Sequence, residues 1–163
     1  MSSANQASIT NFYESFQKQD ASGMNQHYHP EATFRDPVFD TLPAWQAQAM
    51  WSMLCERAKD LVIRFEILDS AENSVHARWE ADYTFSKTNR TIYNKIDARF
   101  EFKDGKIISH VDHFSLWRWA GMALGLQGRL LGWAPFVQSK IRQEAQGGLQ
   151  LYIKRKRLGP PQS

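Results

Sequence analysis

Apolar residues recur at helical spacing near the start of the chain. Ile9, Phe12, Tyr13 and Phe16 stand at i, i+3, i+4 and i+7, which predicts a helix with one buried face ending near Asp20. A short second helix carries Met24 and Tyr28 and stops at Pro30. Ala32, Phe34, Asp36 and Val38 then alternate with Thr33, Arg35 and Pro37, as in a short strand with one inward face. From Ala44 to Lys59 the stripe Ala47, Met50, Trp51, Leu54 and Ala58 predicts a third helix. Three runs of period two follow. In the first, Leu61, Ile63, Phe65 and Ile67 share a face. The second aligns Val75, Ala77, Trp79, Ala81, Tyr83 and Phe85, and the third aligns Ile92, Ile96, Ala98, Phe100 and Phe102. The turn Lys103-Asp104-Gly105 leads into a last strand from Lys106 to Ser115, so helices come first and an antiparallel meander second. The fold class expected is α+β.

Residues 116–163 return to helical character. Seven of the nine glycines lie there, predicting short helices with sharp junctions. A longer helix follows, in which Val137, Ile141, Ala145, Leu149 and Tyr152 or Ile153 form a stripe, and the end, Lys154 to Arg157 and the prolines after it, is expected to fray. Gly121 and Gly125, and Gly128 and Gly132, are spaced for close helix contact or turns.

With 163 residues, 42% of them hydrophobic, the chain is sized for one domain with a real core. A single cysteine, Cys55, excludes an intrachain disulfide and a thiolate metal cluster. The N-terminus lacks the basic flank and apolar stretch of a signal peptide, so a cytoplasmic protein is expected. The apolar stretch from Trp117 to Val137 is broken by Arg118, Gln127 and Arg129, which argues against a spanning helix. Charge is divided unevenly. From Leu116 onward Lys and Arg outnumber acids eight to one, whereas the first 115 residues carry twelve against sixteen. The main domain is therefore mildly acidic and offers no nucleic-acid footprint.

The stretch Tyr28-His29-Pro30-Glu31-Ala32-Thr33-Phe34-Arg35-Asp36-Pro37-Val38, behind two helices, resembles the opening of ketosteroid isomerase and its SnoaL-like polyketide-cyclase relatives in the nuclear transport factor 2-like superfamily. The strand Asp104 to Phe114, a turn glycine followed by His110-x-Asp112, resembles their last strand. The likeness covers about residues 8 to 115. It implies a cone-shaped, curved antiparallel sheet wrapped around the N-terminal helices (residues 1–115), an apolar pocket and a homodimer, with residues 116–163 as a C-terminal helical extension carrying a basic tail. The scaffold hosts isomerases, cyclases, hydrolases and non-enzymatic binding modules, so it does not by itself name a reaction.

By that resemblance Asp36 matches the carboxylate base of ketosteroid isomerase, and Asp112 the acid/base carboxylate of the SnoaL-like cyclases. Alternation alone also aims Asp36 inward, where desolvation favours its protonated form and makes it a better base near neutral pH. The competing reading is an Asp that caps the following turn. The family's oxyanion tyrosine falls on Phe12, with Tyr13 one position around as a substitute. The family's second donor falls on Asp97, which periodicity turns away from the apolar face. On the last strand, Ile108, His110, Asp112 and Phe114 are expected on one face, with His110 and Asp112 about 7 Å apart along the strand. They are read either as catalytic partners or as a satisfied polar pair in a cavity wall or dimer contact. The expected pocket lining is Phe12, Tyr13, Phe34, Trp51, Trp79, Phe100 and Phe114.

His27, His29, His76 and His113 show no metal-ligand spacing, and no cofactor motif is present. The expected function is a cofactor-independent isomerase, cyclase or lyase acting on a small hydrophobic molecule. The alternative is a non-catalytic ligand-binding or dimeric assembly module. The run Trp117-Arg118-Trp119, with Trp133 and Phe136, is expected to bury its tryptophans as a lid over the pocket or across a dimer. The other reading lays this basic segment on anionic lipid.

Overall fold

The computed structural model describes residues 2–163. Helix α1 (Ser2–Gln17) and the five-residue α2 (Ala21–Asn25) precede strand β1 (Tyr28–Arg35) and a two-residue β2 (Leu42–Pro43). Helix α3 (Ala44–Arg57) then leads to the long strands β3 (Val62–Ala71), β4 (Ser74–Phe85), β5 (Arg90–Lys103) and β6 (Lys106–His113). Three helices close the chain: α4 (Leu116–Leu124), α5 (Leu126–Leu131) and α6 (Pro135–Lys156).

The six strands form one curved sheet in the order β2-β1-β6-β5-β4-β3. It is mixed rather than wholly antiparallel, because β1 runs parallel to β6, with Phe34 beside His110 and Arg35 beside Val111. The whole of α3 and the β3–β5 meander separates these two strands, so the chain can re-enter the sheet beside β1 in the same direction. Tyr28 opens β1 rather than closing α2, and Pro30 sits within the strand. Between β5 and β6, Asp104 and Gly105 both have positive φ (54° and 75°), the backbone of a two-residue turn whose twist suits a hairpin.

Ile9, Phe12, Tyr13 and Phe16 are all buried as α1 packs on β3 and β4, and side-chain amides fasten its two ends. Asn5 donates to the Glu72 carbonyl (3.0 Å) and Gln17 to that of Ile63 (3.0 Å). Around Phe12 the rings of Tyr13, Tyr28, Trp51, Phe100 and His110 meet it edge-on, with centroids 5.3 to 6.1 Å apart. Such edge contacts add about 0.5–1.5 kcal/mol per pair beyond burial, so the core around α1 is both apolar and geometrically specified.

The C-terminal helices belong to the same body. Helix α6 stays helical through Lys156, against the expected fraying, because Leu149, Tyr152 and Ile153 are buried on α3. There Glu56 accepts from the Tyr152 hydroxyl (2.8 Å) and pairs with Lys156 (2.9 Å). Helices α4 and α5 form a tight hairpin. Gly125 turns it with φ +70°, and a Cβ at Gly128 would lie 1.9 Å from the Ala120 carbonyl oxygen, so only glycine permits this approach.

Candidate functional site

Asp36 is the first residue beyond β1, so its direction is set by a turn and not by strand alternation. Its Oδ1 accepts the backbone N–H groups of Val38 (2.8 Å) and Phe39 (2.6 Å), while its own N–H donates to the Phe39 carbonyl (3.2 Å). Helix α6 holds the same turn from outside, with Arg142 donating to the Pro37 carbonyl (2.8 Å) and Gln146 to that of Val38 (3.4 Å). Asp36 therefore caps its turn with one oxygen and leaves Oδ2 for the cavity that the residue lines. Burial pushes its carboxyl up to about 7. The two amides pull in the opposite direction, and the charge of Asp112 adds to the rise.

The second centre is a buried chain of polar groups. Trp51 donates its indole N–H to the Tyr28 hydroxyl (2.8 Å), which meets His110 Nδ1 (2.8 Å). His110 Nε2 meets Asp112 Oδ1 (2.8 Å), and the Trp79 indole N–H approaches that same oxygen at 3.5 Å. Only one assignment satisfies every group. With Asp112 as carboxylate, Nε2–H donates to it, Nδ1 accepts the Tyr28 O–H, and the Tyr28 oxygen accepts from Trp51. A proton on Nδ1 would leave the Tyr28 hydroxyl hydrogen with no acceptor in a dry interior. The expected 7 Å gap between His110 and Asp112 is thus closed by direct contact of their side chains.

Ile108 does not share their face. The pairing of β5 with β6 shifts register between Glu101 and Phe102, so Ile107 and His110 both point inward and Ile108 is the bulged residue. Tyr28 is drawn to His110 by the parallel β1–β6 pairing.

Both carboxylates line one cavity of about 1300 Å³, whose wall also carries Trp51, Trp79 and Phe114. A smaller cavity of about 370 Å³ reaches Asp36, Asp112 and Phe114 from the side of Arg35, His113 and Arg142. The other expected lining residues take a different place. Phe12, Tyr13, Phe34 and Phe100 are fully packed behind the wall, because α1 fills the closed end of the sheet. The Tyr13 hydroxyl is buried without a hydrogen-bond partner, and burial, reinforced by the Asp112 charge, raises its pKa well above the ordinary value. It does not reach the cavity.

Two donors that do reach it escaped the sequence reading. Asn94 interrupts the apolar face of β5 between Ile92 and Ile96, and it lies on the cavity wall. Tyr83 stands diagonally across from it on β4; its oxygen accepts the Trp119 indole N–H (2.9 Å), which leaves its own O–H to donate. Strand parity alone marks Asn94 as a polar residue on the inner face; nothing in the sequence marks Tyr83 apart from its aromatic neighbours.

Asp97 is on the outer face, as periodicity requires, where it meets His76 (2.6 Å) and Arg99 (3.5 Å). His27 bonds Ser8 (2.9 Å), and its burial holds its pKa below the ordinary value. Among the described residues no three His, Cys, Asp or Glu side chains gather as a metal site requires.

A family model for the SnoaL-like domain matches residues 9–110. No curated protein sequence is significantly similar to the chain. Solved structures are similar in fold at low identity. One is an LEH-like epoxide hydrolase from M. tuberculosis (TM-score 0.61, 13% identity, 79% of this chain and 94% of that one). Another is a protein from Jannaschia sp. CCS1 assigned as a SnoaL-like polyketide cyclase (0.66, 12%, 76% and 94%). A third is a nuclear transport factor 2-like protein of unknown function from Burkholderia pseudomallei (0.62, 15%, 74% and 97%).

Proposed function

The chain belongs to the SnoaL-like domain family, and we propose that within it this protein is a cofactor-independent isomerase, cyclase or lyase for a small, largely apolar carbonyl compound. The observation that carries this reading is that Asp36 and Asp112 line one largely apolar cavity, where burial pushes the Asp36 carboxyl up to about 7. A base poised near the working pH is matched to proton abstraction beside a carbonyl. Asp36 takes the proton from carbon, and the electron pair moves onto the carbonyl oxygen. Asn94 and Tyr83, both on the wall and the latter held by Trp119, donate to that oxygen. The enolate then regains a proton at another carbon, attacks a second carbonyl, or expels a leaving group. Asp112, oriented by His110 and Trp79, adds to the rise of the Asp36 carboxyl.

Deuterium exchange tests this directly. A panel of bicyclic and tricyclic enones in D2O, followed by mass spectrometry, should gain α-deuterium with the wild-type protein. Asp36→Asn should slow the exchange by about 10²- to 10⁴-fold without loss of folding. Exchange that survives Asp36→Asn would remove Asp36 from the mechanism.

A second reading has its own support. Phe12, on which the family's oxyanion tyrosine falls, its neighbour Tyr13, and Asp97, on which the second donor falls, are all off the cavity wall. A non-catalytic ligand-binding or dimeric assembly module would accommodate that. It predicts that apolar ligands raise the melting temperature while no enone exchanges.

A further inference from the structure

Between residues 117 and 136 the molecule exposes an unusual amount of hydrocarbon. Leu124, Leu131 and Phe136 line the large cavity, Trp117 lines the smaller one, and Leu126, Leu130 and Trp133 stand exposed on the same α4–α5 segment and the turn after it. Each is between 36% and 70% exposed. Trp117 and Trp133 are not buried within the chain itself, whereas Trp119 turns inward, to Tyr83. Isolated exposed apolar residues need no explanation, but seven within one twenty-residue segment, three of them lining a cavity, do.

The patch is held in place by its own chain. Trp117 donates its indole N–H to the Arg129 carbonyl (3.0 Å) and Trp133 donates to that of Leu130 (2.8 Å). Both rings are thereby fixed, with their polar atoms satisfied internally. The close glycine contact of α4 with α5 makes the hairpin beneath them a firm support.

Charge selects the occupant. Arg118, Arg129 and Lys140 are exposed on these elements, Arg90 reaches the Met122 carbonyl beside them (2.8 Å), and no acid occurs from His113 to Gln143. Of the acids lining the cavity on that side, Glu144 is paired with Lys87 (3.1 Å), while Asp60, held by Thr84 (2.6 Å), is outnumbered by these cations. A second copy seated face to face on this patch would set one cationic face against another. An anionic lipid surface takes both the hydrocarbon and the charge. The basic run Lys154–Arg157 is not part of this face, since it lies at the far end of α6, about 30 Å from Phe136.

We propose that the α4–α5 hairpin and the first turn of α6 dock this protein on anionic bilayers, with the cavity mouth against the lipid. The docking stands apart from any catalytic role, and Asp36→Asn should bind vesicles as the wild type does. The 163-residue chain should co-sediment with vesicles containing one-third phosphatidylglycerol, and at least about tenfold more weakly with pure phosphatidylcholine or in high salt. Brominated lipid should quench its tryptophan emission. The exposed double substitution Trp133→Ser with Phe136→Ser, and separately Arg118→Glu with Arg129→Glu, should each weaken binding at least about tenfold with unchanged circular dichroism. Neutralising Lys154 to Arg157 should leave it intact. The proposal is overturned if anionic vesicles do not bind the wild type, or if only the tail substitutions release it. It fails equally if light scattering shows a dimer that Trp133→Ser with Phe136→Ser splits, without vesicle binding.

Discussion

The sheet carries two histidine–aspartate pairs of nearly equal length, one on each face. On the outer face His76 meets Asp97 at 2.6 Å, with side chains 24% and 38% exposed; on the inner face His110 meets Asp112 at 2.8 Å, with side chains 0% and 3% exposed. Their surroundings differ in kind. Water can replace either partner of the outer pair, and Arg99 already shares Asp97. The inner pair is nearly shut from solvent: Tyr28 meets His110 Nδ1, Trp51 holds Tyr28 in turn, and Trp79 approaches Asp112 Oδ1. Contact distance therefore says little about what a pair does. Environment decides whether it is a solvated surface contact or a fixed part of a cavity wall.

Removing the histidine should separate the two most sharply. His110→Ala strands a carboxylate and a hydroxyl in the interior and should cost about 3–5 kcal/mol in urea unfolding. His76→Ala should cost no more than about 1 kcal/mol. Equal losses would abolish the distinction.

Asp36 extends the comparison to pH. Its folded value of about 7 lies above the unfolded value of about 3.9, so the native state binds the proton more tightly between those limits. Stability from this group is therefore greatest at low pH and is lost as pH rises from about 4 through 7, by up to about 4 kcal/mol. Asp36→Asn, which keeps an oxygen for the Val38 and Phe39 amides, should flatten that slope. His27 acts in the opposite sense, since its lowered value favours the native state at higher pH, so subtracting the variant's profile from the wild type's isolates the carboxyl. Parallel profiles would mean that Asp36 titrates normally.

Tyr28→Phe should cost about 1–3 kcal/mol, because Trp51 and His110 each lose a buried partner. Asp97→Asn should change stability least, by about 0.5 kcal/mol or less, and should leave the enone exchange unchanged.

Much of this contrast was legible in advance. Parity along β5 turned Asp97 outward and left the apolar face inward, and the helical stripe of α1 buried the residues it named. Asn94 broke the inner face of β5 in plain view. What parity misjudged were the places where a strand stops or slips. Asp36 lies past the end of β1, so its turn and α6 aim it, and the bulge at Ile108 changes which neighbours share the face of His110. The aromatic lining was overcounted for a related reason. Periodicity separates inside from outside, but it does not separate a residue under α1 from one at the open end of the same sheet.

The alternation and spacing of apolar residues determined the elements and their inward faces, because those depend on local geometry and on short-range solvent exclusion, while the resemblance of Tyr28–Val38 and Asp104–Phe114 pointed to the family. The tertiary structure alone decided that β1 runs parallel to β6 and brings Tyr28 to His110. It also decided that Asp36 and Asp112 share a cavity and that Trp117, Trp133 and Phe136 remain in the open. Those outcomes depend on groups far apart in the chain, and a carboxyl's proton affinity or a tryptophan's exposure is set by whatever the rest of the fold places around it.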